Sequence, residues 1–331
     1  MKTLVLNTPD ILAIHDALKL KDSMAAALRF LSEGQAQNFS RHAINIKDDA
    51  ALGFMPATFA AGNLYGYKTV TVFANNKQHG LNPHQGFVVL LNGENGMIKA
   101  ILDGSTVTAL RTAAVSAVAT EKLSRADSKI LAVIGAGRQA FEHVFSISEV
   151  RPIEKVVIWN RNRDSTEKLI VQLRTKLNCD FEIAPTPQKA VAHADIVVTC
   201  TSSSEALFNI EDVRAGTHIN AIGACRPGFA EIELFDREGL QIFMDSQAAC
   251  LLEAAEITRA LSDGKLSCTA FAGEIGDYLL GKIKGRTNKN QITFFKSVGL
   301  GVEDLFAANC FFNLALEKNI GTQINFGGLH E

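Results

Sequence analysis

The chain has 331 residues, with 33 basic and 35 acidic side chains and a formal net charge of -2 at pH 7. That balance excludes the strong positive footprint of a nucleic-acid or anionic-membrane binder, and 47% hydrophobic with 21% charged residues excludes wholesale disorder. The length favours two compact units over one core.

The apolar runs, such as Lys129–Ala136, are far too short to span a bilayer. Met1–Leu6 runs into Asn-Thr-Pro-Asp without a signal-peptide core, so a cytoplasmic protein is expected. Cys179, Cys200, Cys225, Cys250, Cys268 and Cys310 are widely spaced with no Cys-x-x-Cys pair, which reads as buried reduced thiols rather than a zinc knuckle or disulfide framework. The histidines show no metal-ligand spacing, and no metal site is expected.

In chain order, Thr8-Pro9-Asp10 is a helix start with Thr8 as N-cap, followed by Ile11, Leu12, Ile14 and Leu18 at helical spacing. A second helix is expected from Asp22 or Ser23 to a stop at Gly34. From about Phe39 to Leu102 the pattern is of short strands. Gly66–Phe73 and Gly86–Leu91 are β-rich runs, and Asn92–Gly96 is a hairpin signal before a return strand, Met97–Leu102. Thr106–Leu123 is alanine-rich and helical. Ile130–Ile134 is a continuous apolar run bounded by Gly135, the pattern of a strand buried on both faces of a parallel sheet. Strands at Lys155–Trp159, Asp195–Cys200, His218–Ile222 and Gln241–Met244 then alternate with helical or turn-rich stretches, which predicts an open, doubly wound α/β sheet. Helical composition returns from near Lys296 through Asn319.

Gly135-Ala-Gly-Arg-Gln-Ala140 follows a buried strand and opens a helix. Gly135 allows the tight turn, Gly137 lets backbone approach a pyrophosphate, and Ala140 lets the helix pack on the sheet, so the loop with Arg138 and Gln139 predicts dinucleotide binding. The next strand ends in Asn160-Arg161-Asn162-Arg163, where a cofactor lacking a 2′-phosphate usually meets a carboxylate. Guanidinium groups there favour NADPH over NADH, which remains possible. Three further cations stand apart: Arg41, Lys68 inside an otherwise apolar strand, and Arg111. From spacing alone, Lys68 reads slightly better as a solvent-facing residue than as a site residue.

Phe54-Met-Pro-Ala57, Lys68, Leu102-Asp-Gly-Ser-Thr-Val-Thr-Ala-Leu-Arg-Thr-Ala-Ala114, Ile134–Ala140, His218–Ala224 and Phe295-Lys-Ser-Val-Gly299 with Glu303-Asp304 occur in that order. Together they resemble the ornithine cyclodeaminase/mu-crystallin family from near the N-terminus to about residue 310. The resemblance implies a doubly wound parallel-sheet Rossmann domain, 116–299, inserted in an α+β substrate-binding and dimerisation domain, 1–115 plus 300–331, in a homodimer. It makes Arg41, Lys68 and Arg111 the substrate pocket, with Lys68 catalytic. It places His84, Arg111, Thr112, Thr201, Ile222 and Ser297 near the cofactor.

One departure stands out. Cyclodeaminases of the family carry an aspartate where this chain has Cys225, in Gly223-Ala-Cys-Arg-Pro-Gly228, and a thiol does not replace a fixed negative charge at neutral pH. The mu-crystallin side of the family, similar in lacking that acid, implies NAD(P)H-dependent reduction of a small cyclic imino acid: 1-pyrroline-2-carboxylate or 1-piperideine-2-carboxylate to L-proline or L-pipecolate. The alternatives are an ornithine cyclodeaminase, an alanine-dehydrogenase-like enzyme, and a non-catalytic protein binding NADPH or a small ligand.

Overall fold

The computed structural model describes residues 2–47 and 50–326; residues 327–331, the tail of the segment expected to complete the substrate domain, lie outside them. Along the chain run β1 (Thr3–Leu6), α1 (Thr8–Ile14), α2 (Ala17–Ser32), β2 (Ala36–Asn38), β3 (His42–Lys47), β4 (Ala50–Phe59), β5 (Leu64–Phe73), β6 (His84–Asn92), β7 (Ile98–Asp103) and α3 (Gly104–Leu123). There follow β8 (Ile130–Ile134), α4 (Arg138–Ser148), β9 (Lys155–Trp159), α5 (Arg163–Arg174), β10 (Asp180–Ile183), α6 (Pro187–Val191), β11 (Ile196–Thr199), β12 (Phe208–Asn209), β13 (His218–Ala221) and β14 (Ile232–Glu233). The chain ends with β15 (Leu240–Met244), α7 (Gln247–Glu253), α8 (Ala255–Ser262), β16 (Phe271–Glu274), α9 (Ile275–Leu279), β17 (Ile292–Lys296), α10 (Gly301–Lys318) and β18 (Thr322–Ile324). Contacts divide it into two compact units, Met1–Arg111 with Leu300–Glu331, and Thr112–Gly299.

The first unit is built on a mixed sheet in the order β18-β1-β7-β6-β5-β4-β2, with β3 also paired to β4. All its pairings are antiparallel except β1 with β7. In β5 the buried positions alternate, so Leu64, Gly66 and Lys68 share the inward face. Gly66 is required there: a Cβ would lie 2.2 Å from the Val89 carbonyl oxygen and 2.9 Å from Leu305 Cδ1 of α10. Two helix starts differ from expectation. Asn7, not Thr8, caps α1, exchanging side-chain and backbone hydrogen bonds with Asp10 at 3.0 and 3.1 Å. Helix α2 begins at Ala17 rather than near Asp22, because the Asp16 carboxylate accepts from the Lys19 amide at 3.0 Å.

The second unit carries an all-parallel sheet in the order β10-β9-β8-β11-β13-β17-β15-β16. The strand order reverses between β8 and β11, the topological switch point where doubly wound sheets bind ligands at their carboxyl ends. Apolar side chains of β8, β9 and β11 are buried on both faces against α4 and α5 on one side and α6 on the other. Residue Lys296 ends a buried strand, β17, rather than beginning a helix; α10 starts at Gly301, where the Glu303 carboxylate accepts from the Leu300 amide at 3.3 Å. Only Cys250 is a buried thiol as expected; Cys268 is exposed and the other cysteines are half-buried.

Candidate functional site

Lys68 is buried, which corrects the solvent-facing reading. Its strand neighbours are the apolar Met55 and Val88, and a lone ammonium there would be costly. Compensation comes from α10: Lys68 Nζ lies 2.5 Å from Asp304 Oδ2 and donates to Thr108 Oγ1 of α3 at 3.3 Å. Arg111, also buried, donates from Nε to Asp304 Oδ1 at 2.9 Å and from a terminal nitrogen to Glu303 Oε2 at 2.7 Å. Burial pulls the Lys68 ammonium down to about 8; Asp304 opposes this, while Arg111 and Arg41 add to it. Burial acts on the Asp304 carboxyl in the opposite sense, but Lys68 and Arg111 more than offset it and hold it below the usual carboxylate range. The first unit therefore brings Arg41 and Arg111 within electrostatic reach of Lys68, with buried Asp304 bridging Lys68 and Arg111 and buried Glu303 pairing with Arg111.

In the second unit, Gly135 at the end of β8 has φ +126°, and a Cβ there would come within 3.0 Å of both the carbonyl oxygen and Sγ of Cys200. Gly137 is the N-cap of α4, with no side-chain hydrogen bond covering that helix start, and a Cβ on it would meet nothing within 4 Å. The first amides of α4 thus face an open approach, the arrangement that receives a phosphate. Beside them, Gln139 Oε1 is buried with no hydrogen-bond partner among the described residues. An open glycine cradle, uncapped amides and an orphaned amide oxygen fit a dinucleotide. At the end of β9, Asn160 donates to the Asn162 carbonyl at 2.9 Å and Asn162 caps α5. Arg163 is engaged by Glu167 at 2.9 Å, whereas exposed Arg161 has no acidic partner among the described residues.

Two loops at the carboxyl ends of β11 and β13 are held by one buried carboxylate. Glu231 accepts from Thr199 Oγ1 (2.8 Å), from the amide and hydroxyl of Thr201 (2.5 and 2.7 Å), and from the amides of Gly223 and Ala224 (2.8 and 3.2 Å). Lys296, fully buried, donates to the Ala224 carbonyl at 2.6 Å and pairs with Glu256 at 3.2 Å. Burial alone would lower the Lys296 ammonium, but Glu256 and Glu231 reverse the direction and raise it. Cys225 follows in the same loop, half-buried against the second unit's core. Ser297 donates to Asp245 Oδ2 at 2.9 Å, which also accepts the Val298 and Gly299 amides.

Among the residues expected near a cofactor, Gly135, Gly137, Arg138, Gln139, Asn160, Arg161, Asn162, Thr201, Ile222, Ser297 and Thr112 belong to the second unit. His84 and Arg111 belong to the first, His84 exposed at the start of β6. Sequence reasoning assigned no role to Glu231, Asp245, Glu256, Lys296, Glu303 or Asp304. A usable signal existed for three of them: Lys296, Glu303 and Asp304 are the only charges between Ile292 and Leu316. Among the described residues no cluster of His, Cys, Asp and Glu is arranged to hold a metal, and no helix is long and apolar enough to cross a membrane.

The ornithine cyclodeaminase/mu-crystallin family model matches residues 1–319. The Delta(1)-pyrroline-2-carboxylate reductase of Bacillus cereus is 34% identical over 273 residues, covering 82% of this chain and 84% of that protein. The ketimine reductase mu-crystallin of Rattus norvegicus is 34% identical over 262 residues, 79% and 80% of the two chains. The structure of Thermococcus litoralis Delta(1)-pyrroline-2-carboxylate reductase in complex with NADH and L-proline superposes with a TM-score of 0.92 at 29% identity, covering 97% of this chain and 100% of that one.

Proposed function

The chain belongs to the ornithine cyclodeaminase/mu-crystallin family, and from that premise we propose that it is an NAD(P)H-dependent reductase of cyclic imino acids, with 1-pyrroline-2-carboxylate or 1-piperideine-2-carboxylate as substrate and L-proline or L-pipecolate as product. The observation that carries this reading is the buried cation cluster of Lys68 and Arg111, with Arg41 close enough to act on Lys68. A cyclic imino acid presents one carboxylate beside an electrophilic C=N bond. Arg41 and Arg111 hold the carboxylate by charge-assisted hydrogen bonds, which orients the ring. Lys68, whose proton affinity burial brings down towards neutrality, holds a proton at Nζ for the ring nitrogen. The similar Bacillus, rat and Thermococcus proteins, named as imine and ketimine reductases, support the same reaction class.

Gly135, Gly137, Arg138 and Gln139 would hold the pyrophosphate of the dinucleotide, and Asn160, Arg161 and Asn162 its adenosine ribose. Thr112, Thr201, Ile222 and Ser297 would also bind the cofactor, as would His84 and Arg111 by the family resemblance. When bound, the reduced nicotinamide supplies the hydride. NADPH is preferred over NADH: the β9 end offers no carboxylate to accept from a ribose 2′-hydroxyl, and Arg161 is unengaged by any acid among the described residues. Cys225, in place of an aspartate, disfavours ornithine cyclodeamination.

The test is a substrate panel with purified protein. NADPH consumption with 1-pyrroline-2-carboxylate, yielding proline and slower with NADH, is the expected result. Ammonia release from ornithine with NAD, or turnover requiring ammonia and an open-chain 2-oxo acid, would replace this reading with another enzyme of the family. NADPH binding without turnover on any of these would indicate a binding protein.

A further inference from the structure

The adjacent acids Glu303 and Asp304 open α10 and are buried, yet the proposed chemistry uses neither. A carboxylate pair this deep is costly unless each charge is matched. Here they are matched differently. Glu303 reaches Arg111 and also accepts from the Leu300 amide. Asp304 reaches both cations, with Oδ2 against Lys68 Nζ at 2.5 Å and Oδ1 against Arg111 Nε at 2.9 Å. One carboxylate thus ties the lysine of β5 to the arginine of α3.

Charged groups face Lys68 from several elements. Asp304 comes from α10, Arg111 from α3, and Arg41 from the segment between β2 and β3; Thr108 of α3 contributes a neutral hydroxyl. Cross-strand partners Met55 and Val88 contribute no charge. Among the groups acting most strongly on Lys68, Asp304 is the negative one, against two positive groups and the loss of water. Without it, the ammonium would sit between two guanidinium groups in an apolar wall and would tend to shed its proton.

We propose that Asp304 is a positioning residue that keeps Lys68 protonated and aims its ammonium. This rests on the imine-reductase reading in one respect, the use made of that proton. A neutral imine nitrogen needs one proton to become an amine; protonated Lys68 gives it, is left neutral, and takes a proton back from water. Arg111, held at Nε and a terminal nitrogen by the two acids, is at the same time fixed in direction.

The experiment compares the pH dependence of kcat/KM for wild type, Asp304→Asn and Asp304→Glu on one imine, so that the substrate's own titration is common to all. Loss of the charge moves the alkaline limb of Asp304→Asn to lower pH by about one to three units, and Asp304→Glu brings it back towards wild type. An Asn variant slower than wild type but with an unmoved limb overturns the proposal, because a merely structural role lowers the rate without shifting the titration. Where Asp304→Asn does not fold, Asp304→Ser, which leaves room for water, takes its place. An NMR titration of the Lys68 side chain, assigned with Lys68→Arg, decides the matter without turnover. Its midpoint falls in the Asp304 variant if the proposal is right, and an unchanged midpoint overturns it. A wild type inactive on every imine would refute the reductase reading alone, leaving the NMR result to decide the role of Asp304.

Discussion

At the scale of single residues, side chains of the same type have different prospects according to what surrounds them. Arg161 and Arg163 stand two apart at the end of β9, but Arg163 is engaged by Glu167 while Arg161 is exposed with no acidic partner among the described residues. If Arg161 meets the 2′-phosphate, Arg161→Ala raises the KM for NADPH about tenfold, the equivalent of about 1.4 kcal/mol, and leaves that for NADH nearly unchanged; parallel cofactor titrations check this. Gly223 is constrained by space. A Cβ there would lie 2.1 Å from the Thr201 carbonyl oxygen and 2.6 Å from Glu231 Oε1. Gly223→Ala is accordingly expected to destabilise by about 1–3 kcal/mol, read as a lowered Tm. The glycine loop was legible in the sequence because its chemistry follows from local spacing. Lys68 was harder to read: Tyr67 and Thr69 flank it, and only its shared parity with Leu64 and Gly66 marks the inward face. Its compensating acid lies more than two hundred positions away in the chain, so local pattern alone could not supply the partner.

Among the elements, the central parallel strands β8, β9 and β11 were the most legible, since each reads as a short apolar run without alternation. Helix starts were less so. Helix α2 starts at Ala17 rather than near Asp22 because Asp16 caps it and the added turn buries Leu20. Strand β17 carries no polar alternation, being buried throughout, so nothing in its pattern separates it from the helical composition that begins near Lys296. Loops between these elements are fixed by buried carboxylates that no short motif announces. Asp245, after β15, collects the Ser297 hydroxyl and two amides on a single oxygen. Asp245→Asn retains the shape but turns acceptor capacity into donors, leaving buried groups unpaired. A loss of about 1–3 kcal/mol in unfolding free energy is expected, measurable by urea titration.

For the whole molecule, acid sensitivity and self-association are the accessible properties. His218 is fully buried, bonded to Thr293 and Asn220 at 2.9 and 3.3 Å. Burial, with Arg286 adding to it, lowers its pKa from 6.5 to about 3. Unfolded chains therefore bind more protons than folded ones between those values, so stability is full above 6.5 and lost as pH falls towards 3. This one group is worth about 2 kcal/mol at pH 5, so Tm falls between pH 7 and 5, and His218→Gln makes that fall shallower. We propose that the chain self-associates through a surface of the first unit. Phe54 and Phe87 stand in register across β4, β5 and β6 through Thr69, on the face opposite Lys68, and both are exposed, as is Ile44 of β3. A mass near twice 35.8 kDa by light scattering is expected, reduced towards one chain by Ile44→Asp with Phe54→Asp. The role of the buried cluster around Lys68 in imine reduction is read from single-turnover NADPH oxidation with 1-pyrroline-2-carboxylate in wild type and Lys68→Met, with NADPH affinity followed by fluorescence. Proline from wild type, a rate at least about a hundredfold lower in the variant, and unchanged NADPH affinity are expected. Equal rates in the two proteins would contradict that role.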